Sequence, residues 1–296
     1  MPVPFPIRAA AAMAALLLSV LLCPSPAAAA RVLIVGDLQY ALVAEVAADI
    51  RASVREQVRE YPLAEVRGRL GAIVEREEAD VVVALGTDAL NEALRLPSSV
   101  TVVYGLVAAP PKSVRERITG VYMSPPATEY LSAVRRWLPA IRRVAVVGSP
   151  PMIRALAGGD LPKASTYPVG GSTGLVETVN RLSETDALLL LPDVTLLTAS
   201  AMESVFAFSY RKNVPLLGIS EGHVKQGALF ALVFDPRGMS LQIGDAVRRI
   251  LDGAAPGEIP ASAPRKFNLF VNANTARKMG ISVPDEMLAA AKRVYR

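Results

Sequence analysis

The sequence predicts an α/β protein of two doubly wound, parallel-sheet lobes joined by a hinge. Three observations predict it. Short apolar, β-branched runs at 31–35, 80–85 and 99–104 alternate with segments of helical periodicity. Runs apolar on both faces and separated by helices belong to a parallel sheet covered on each side. The alternation then restarts after a turn-rich junction at 123–126, giving two Rossmann-like halves of similar size.

Each element follows from local pattern. Residues 31–35 form a strand closed by Gly36-Asp37. Leu42, Val43, Val46, Ala47, Ile50, Val54 and Val58 recur at helical spacing, so 42–58 reads as one helix. A second helix covers 63–77, and 59–69 reads as compressed, with no strand of its own. Residues 80–85 form a buried strand that ends in Gly86-Thr87-Asp88 and a helix; 99–104 is the next strand, ending on Tyr104.

In the second half, 130–138 is a helix stopped by Pro139, and 143–147 is a strand. Residues 170–174, rich in glycine, read as a link. A strand at 187–191 closes with Pro192-Asp193, a helix covers 199–210, and a strand at 214–219 ends at Ser220-Glu221. Residues 229–234 read as an edge strand and 239–251 as a helix ended by Gly253. The tail has a strand at 267–271, a capped short helix, an exit at Gly280 and a last helix started by Pro284.

Composition excludes several functions. The chain has 296 residues, a formal net charge of +5, one histidine and one cysteine. One histidine without a cysteine cluster builds no metal site. Arg51, Arg55 and Arg59 are interleaved with Asp49, Glu56 and Glu60, a solvated helix face rather than a nucleic-acid patch. The stretch Gly36-Asp-Leu-Gln-Tyr-Ala41 stands where a dinucleotide site would carry a glycine fingerprint, and no phosphate-loop or nucleophile-elbow motif occurs. The expectation is a protein that is not an enzyme and uses no cofactor.

The first thirty residues read as a cleavable targeting segment. Arg8 precedes an apolar run at 9–22, shorter than the ~20 residues of a permanent span. Pro24 and Pro26 break it, and Ala28 and Ala30 place cleavage before Arg31. Cys23 follows Leu22 rather than a small residue, so it reads as part of the leader and not as a lipidation site.

Ligands of open parallel sheets bind beyond the carboxyl ends of the strands. That rule selects Gln39; Gly86, Thr87 and Asp88; Tyr104; Asp193 and Thr195; Ser220 and Glu221; and Asp235. Two readings stand for each. Gly86-Thr87-Asp88 either clamps a ligand carboxylate with backbone N–H groups or caps its own helix. Asp193 either holds a ligand ammonium or ring N–H or caps the following helix. Tyr104 either stacks on an apolar ligand or is a partly buried sheet-end tyrosine. Glu221 and Asp235 are weaker candidates, Asp235-Pro236 marking a crossing where the carboxylate caps a helix. His223 reads as a surface or loop histidine.

Several segments in order resemble the ABC transporter substrate-binding protein family, in particular its group that includes aromatic amino-acid binders. These are Ala79-Asp-Val-Val-Val-Ala-Leu-Gly-Thr87, Ile118-Thr-Gly-Val-Tyr122, Trp137-Leu-Pro-Ala-Ile-Arg-Arg-Val144, Gly227-Ala228, Ile250-Leu-Asp-Gly253, Glu258-Ile-Pro260, and the tail from Val271-Asn272 through Ala276, Gly280-Ile281 and Pro284. The resemblance implies the type I periplasmic-binding-protein clamshell, with three crossings between lobes. It implies a signal peptide at 1–30, one lobe from 31–122 plus 236–264, and another from 123–235 plus 265–296. It also implies an aspartate after the strand at 187–191, which Asp193 supplies, and an acidic or amide anchor in the first loop, filled here by Gln39 and Tyr40. The expected function is a periplasmic solute-binding protein, monomeric, that closes over an amino acid-like or aromatic molecule and delivers it to a membrane ABC permease. The alternative is the same clamshell docking on a membrane receptor as a sensor, and a Rossmann-like enzyme is the least favoured reading; none involves nucleic acid.

Overall fold

The structure is a computed structural model that describes residues 31–111, 116–159 and 161–296. The targeting segment and Cys23 lie outside the described residues. The first sheet contains β1 (Val32–Gly36), β2 (Val58–Pro62), β3 (Val81–Leu85), β4 (Thr101–Val107) and β5 (Ile118–Tyr122), ordered β2-β1-β3-β4-β5 and parallel throughout. Its helices are α1 (Ala41–Ser53), α2 (Leu63–Val66), α3 (Leu70–Arg76) and α4 (Thr87–Ala93). Every residue of β1 and β3 is buried, which explains why those strands are apolar without alternation.

The second sheet contains β6 (Val144–Gly148), β7 (Ala164–Pro168), β8 (Ala187–Leu190), β9 (Leu216–Gly218), β10 (Phe230–Phe234), β11 (Phe267–Asn272) and β12 (Arg293–Tyr295), in the order β12-β11-β10-β9-β8-β6-β7. It is parallel except that β11 runs antiparallel to β10. The remaining helices are α5 (Ala127–Trp137), α6 (Pro150–Leu156), α7 (Gly171–Arg181), α8 (Ala199–Lys212), α9 (Glu221–Gln226), α10 (Pro236–Leu251), α11 (Ala273–Lys278) and α12 (Asp285–Ala290). The result is two α/β lobes, each with a core on both faces of its sheet.

Helix α10 follows the second sheet in sequence but packs on the first. Its Met239, Ile243 and Val247 lie in one cluster with Val46 and Ile50 of α1 and with Ile34, Val83 and Val103. Its Arg248 Nη1 donates to Ser53 O at 2.7 Å, satisfying a carbonyl at the end of α1. The chain then returns along β5, where Tyr122 N donates to Ser262 O and Ser262 N to Gly120 O, both at 3.1 Å. From there it enters β11, and Asp235 N donates to Lys266 O at 3.2 Å, so two crossing segments run side by side. Gln242 of α10 fastens the return: its Nε2 donates to Ser262 Oγ (2.7 Å) and Ala263 O (3.0 Å), and its Oε1 accepts from Arg265 N (3.1 Å).

The structure corrects five local readings. Residues 59–69 do contain a strand: Val58–Pro62 pairs with β1 from Val32↔Val58 to Gly36↔Pro62, so the helix at 42–58 stops at Ser53. The helix at 63–77 is two pieces, interrupted around Gly68. Residues 170–174 are not a link, because α7 starts at Gly171. The strand at 229–234 is interior, flanked by β9 and β11. Tyr104 does not end its strand, which continues through a register shift to Val107. Strands β7 and β12, unmarked in the sequence, are exposed or half-buried edges. Edge strands need no apolar run, and the β-propensity signal fades there.

Candidate functional site

A doubly wound sheet sends every strand-to-helix loop to one edge, so residues distant in sequence gather there. At that edge of the second sheet, Ser149 follows β6 and Asp193 follows β8. Ser149 Oγ donates to Asp193 Oδ2 at 2.5 Å. Asp193 Oδ1 accepts from Thr195 N (2.9 Å) and Thr195 Oγ1 (2.6 Å). Partial burial pushes the Asp193 carboxyl upward, but the Ser149 and Thr195 hydrogen bonds, with the Thr195 and Leu196 amides, outweigh it and hold it below the ordinary value. Asp193 therefore stands as a pre-oriented carboxylate. Beside it Val194 is 91 % exposed, an apolar side chain left in solvent at the rim.

Next to this carboxylate is a cavity of about 250 Å³. Its floor is Leu190, Leu191 and Pro192 at the end of β8, Ile219 and Ser220 after β9, and Leu232 and Phe234 of β10. The crossing segment Met123-Ser124-Pro125 and Ala108, past β4 of the other lobe, complete it. Tyr130, buried and part of the lining, places its hydroxyl 2.9 Å from Gly218 O and 3.2 Å from Leu232 O, tying α5 to β9 and β10. A larger cavity of about 660 Å³ lies at the opposite edge of the first sheet, among Arg31, Asp80 and Thr101. It is far from the strand ends that gather loops, and its walls are charged and solvated.

The other residues selected from sequence occupy varied settings. Gln39 is exposed and donates to Asp37 Oδ2 at 3.0 Å. Gly86 has φ +97, a conformation L side chains rarely adopt, and sits before α4 with no side-chain cap. Thr87 and Asp88 are therefore not caps; both are exposed, and the Asp88 carboxylate lies 4.0 Å from Arg67 Nη2. Ser220 caps α9, accepting from His223 N at 3.1 Å, and lines the cavity. Asp235 caps α10 through Gly238 N (2.9 Å) and accepts from Asn268 Nδ2 (3.3 Å).

Glu221 is engaged by Tyr295, by Arg293 at 2.9 Å and by Lys225 at 3.7 Å. The Tyr295 hydrogen bond foremost, then these cations, keep its carboxyl below the ordinary value against the opposing effect of burial. It latches the terminal strand β12 rather than lining the cavity. Tyr104 is fully buried in the first lobe, its ring lying over Gly120, so it does not present a face to a ligand. His223 is not a loop residue; it lies on α9, half-buried, edge-on to Phe206 with ring centres 6.3 Å apart. Ser149, Tyr130 and the crossing residues Met123 and Ser124 were missed. Ser149 was visible as the residue after a buried strand, before Pro150; the others carry no local signal.

Two lobes, three crossings and an edge-located carboxylate beside an apolar cavity set the frame for comparison. The family described as ABC transporter substrate binding protein matches residues 172–295. Among solved structures, a ligand-free, open substrate binding protein with adhesive properties from Clostridium difficile aligns over 90 % of this chain and 99 % of its own, with TM-score 0.66 at 14 % identity. An ABC domain in complex with L-Trp from Streptococcus pneumonia aligns over 89 % of this chain and 99 % of its own, with TM-score 0.55 at 17 % identity. Over residues 172–295 the chain is similar to that family, and the two solved structures show the same two-lobed fold. An uncharacterised protein of Rickettsia prowazekii (strain Madrid E) is 27 % identical over 108 residues, 36 % of this chain. The match spans only 35 % of that relative's length. Among the described residues no helix is long and apolar enough to cross a membrane.

Proposed function

We propose that this protein binds a small molecule bearing a cationic nitrogen and an apolar or aromatic group, closes its lobes over it, and delivers it to a membrane ABC permease from the periplasm. The observation that carries the reading is the Ser149–Asp193–Thr195 constellation, in which Asp193 directly follows Pro192 in the wall of the apolar cavity. A carboxylate kept ionised by neutral donors attracts an ammonium or ring N–H, and the adjacent floor of Leu191, Ile219 and Leu232 suits the apolar part. Gln39, Gly86, Thr87 and Asp88 contribute from the first lobe. The first backbone N–H groups of α4, carried by exposed Thr87 and Asp88, suit a ligand carboxylate, which makes an amino acid-like solute the fitting class. Tyr40 of the first lobe, 61 % exposed, and Val194 of the second are apolar rims that lobe closure would desolvate.

The lobes are assigned as 31–122 with 236–264, and 123–235 with 265–296, the crossings lying at 123–126, 235 and 263–266. The open cavity, about 250 Å³, is below the usual size of a ligand site, about 300–1,000 Å³, and closure supplies the missing wall. The test is native mass spectrometry of the purified protein with release of bound metabolites, followed by calorimetry with an amino-acid panel. Binding that survives in wild type and is lost in Asp193→Ala supports the reading. Undiminished binding in that variant, or no binding to any cationic solute, would overturn it.

A further inference from the structure

A second cavity of about 250 Å³ lies on the second lobe at the opposite edge of the sheet from Asp193. It opens between α5 and the starts of β6 and β7: Val144 is the first residue of β6, and Lys163 immediately precedes β7. Leu131, Val134 and Ile141 give it an apolar floor, and Arg135, Arg142 and Lys163 stand around it. Among the described residues no aspartate or glutamate lines it. Three other cavities with cationic walls carry their own acids: Glu75, Glu78 and Asp80 in the large one, Glu184 and Asp245 in two smaller ones.

The three cations are uncommitted. Neighbouring Arg136 pairs with Glu286 and Arg143 with Glu184 and Asp186, whereas the Arg135, Arg142 and Lys163 side chains make no ion pair among the described residues. The nearby carboxylate of Asp186 is spent, accepting from Arg142 N and Arg143 N at 2.9 Å each and pairing with the Arg143 guanidinium. The same bonds fix the backbone that carries Arg142. Val144 N donates to Lys163 O at 3.0 Å, which fixes the backbone of Lys163. An apolar hollow under three cations that are unpaired among the described residues, two of them on fastened backbone, has the complement of one ligand class.

We infer that this hollow is a second binding site, separate from the inter-lobe site, for a short amphipathic anion: a small acyl or single-ring group in the floor, with its carboxylate or phosphate among Arg135, Arg142 and Lys163. Isothermal titration of the purified full chain with octanoate tests it, with octylammonium and octanol as probes of the same tail. The expected result is saturable octanoate binding at one site and no measurable binding of the other two. The Arg142→Gln/Lys163→Gln double variant, both positions exposed and outside the core, weakens octanoate binding at least fivefold with an unchanged circular dichroism spectrum. Asp193→Asn leaves octanoate affinity unchanged. Equal binding of octylammonium, absence of saturable binding, or full affinity in the double variant overturns the inference. Loss of octanoate binding in Asp193→Asn also overturns it, by placing the anion between the lobes.

Discussion

Ser149 Oγ stands 2.5 Å from Asp193 Oδ2, joining the loop after β6 to the loop after β8 at the carboxyl edge of the second sheet. The bond has two effects. It aims the carboxylate, and it favours the charged form over the neutral one. Ser149→Ala is expected to weaken binding of a cationic solute by about three- to tenfold, since a hydrogen bond to a charged group is worth about 1.5–3 kcal/mol, part of it recovered from water. Asp193→Asn is expected to cost more, about a hundredfold, within the range for removing one partner of a hydrogen-bonded charge pair. The folded carboxyl titrates below its ordinary value, so wild-type affinity holds as pH falls until that lower value is crossed. In Ser149→Ala the acid loss begins at higher pH. Calorimetry across the acidic range reads both effects, and an unshifted onset would deny Ser149 its part.

The single histidine makes another pH effect separable. His223 is half-buried against Phe206, and burial lowers its pKa below 6.5. The folded state thus resists a proton that the unfolded chain accepts. Stability is complete above the unfolded value and declines as pH drops from it toward the folded value. Urea unfolding at about pH 7.5 and about pH 5.5 should show the wild type losing more stability over that interval than His223→Gln. Equal losses would mean that the imidazole is solvated in the folded state.

Close packing in the first lobe gives a third expectation. A Cβ on Gly120 of β5 would fall 2.3 Å from Tyr104 O and 2.6 Å from Tyr104 Cγ. Backbone cannot yield as a flexible side chain can, so Gly120→Ala is expected to cost at least the upper end of the usual overpacking range, about 3 kcal/mol. The Gly120→Ala/Tyr104→Ala pair relieves only the ring contact and should recover little. Chemical denaturation of both variants decides this; a loss below about 1 kcal/mol in the single variant would mean that β4 and β5 can separate at no cost.

The legible parts were those where physics acts on contiguous residues. Strands β1, β3, β6 and β8 announce themselves because burial on both faces leaves no polar position, and the Asn272 cap and Gly280 exit of α11 are local chemistry. The rule that loops gather past strand ends placed Asp193 and Ser220 without any structure. What stayed hidden depends on partners far along the chain. Val58–Pro62 is a strand because β1 offers it an edge, not because of its own half-buried residues. Glu221 reads as a cleft carboxylate until Arg293 and Tyr295, some seventy positions on, claim it. Tyr104 reads as a strand end because Gly105 follows it, and only the register shift through Leu106, at φ +56, carries the strand past.

The hinge supplies the last prediction. Gln242 is buried on α10, yet all its polar capacity goes to the returning segment: Ser262 Oγ, Ala263 O and Arg265 N. These bonds hold the third crossing against the helix that follows the second, so the two must move together in the proposed closure. Gln242→Ala removes three hydrogen bonds of about 1 kcal/mol each and leaves Arg265 N without that acceptor. The expected result is a loss of about 1–3 kcal/mol in stability and a broader distribution of lobe separations by small-angle scattering without solute. Gln242→Glu keeps the acceptor and loses the two donors, so it should fall between. A Gln242→Ala protein with wild-type scattering and lowered stability would mean that the segment fastens the first lobe alone and leaves closure to the other crossings.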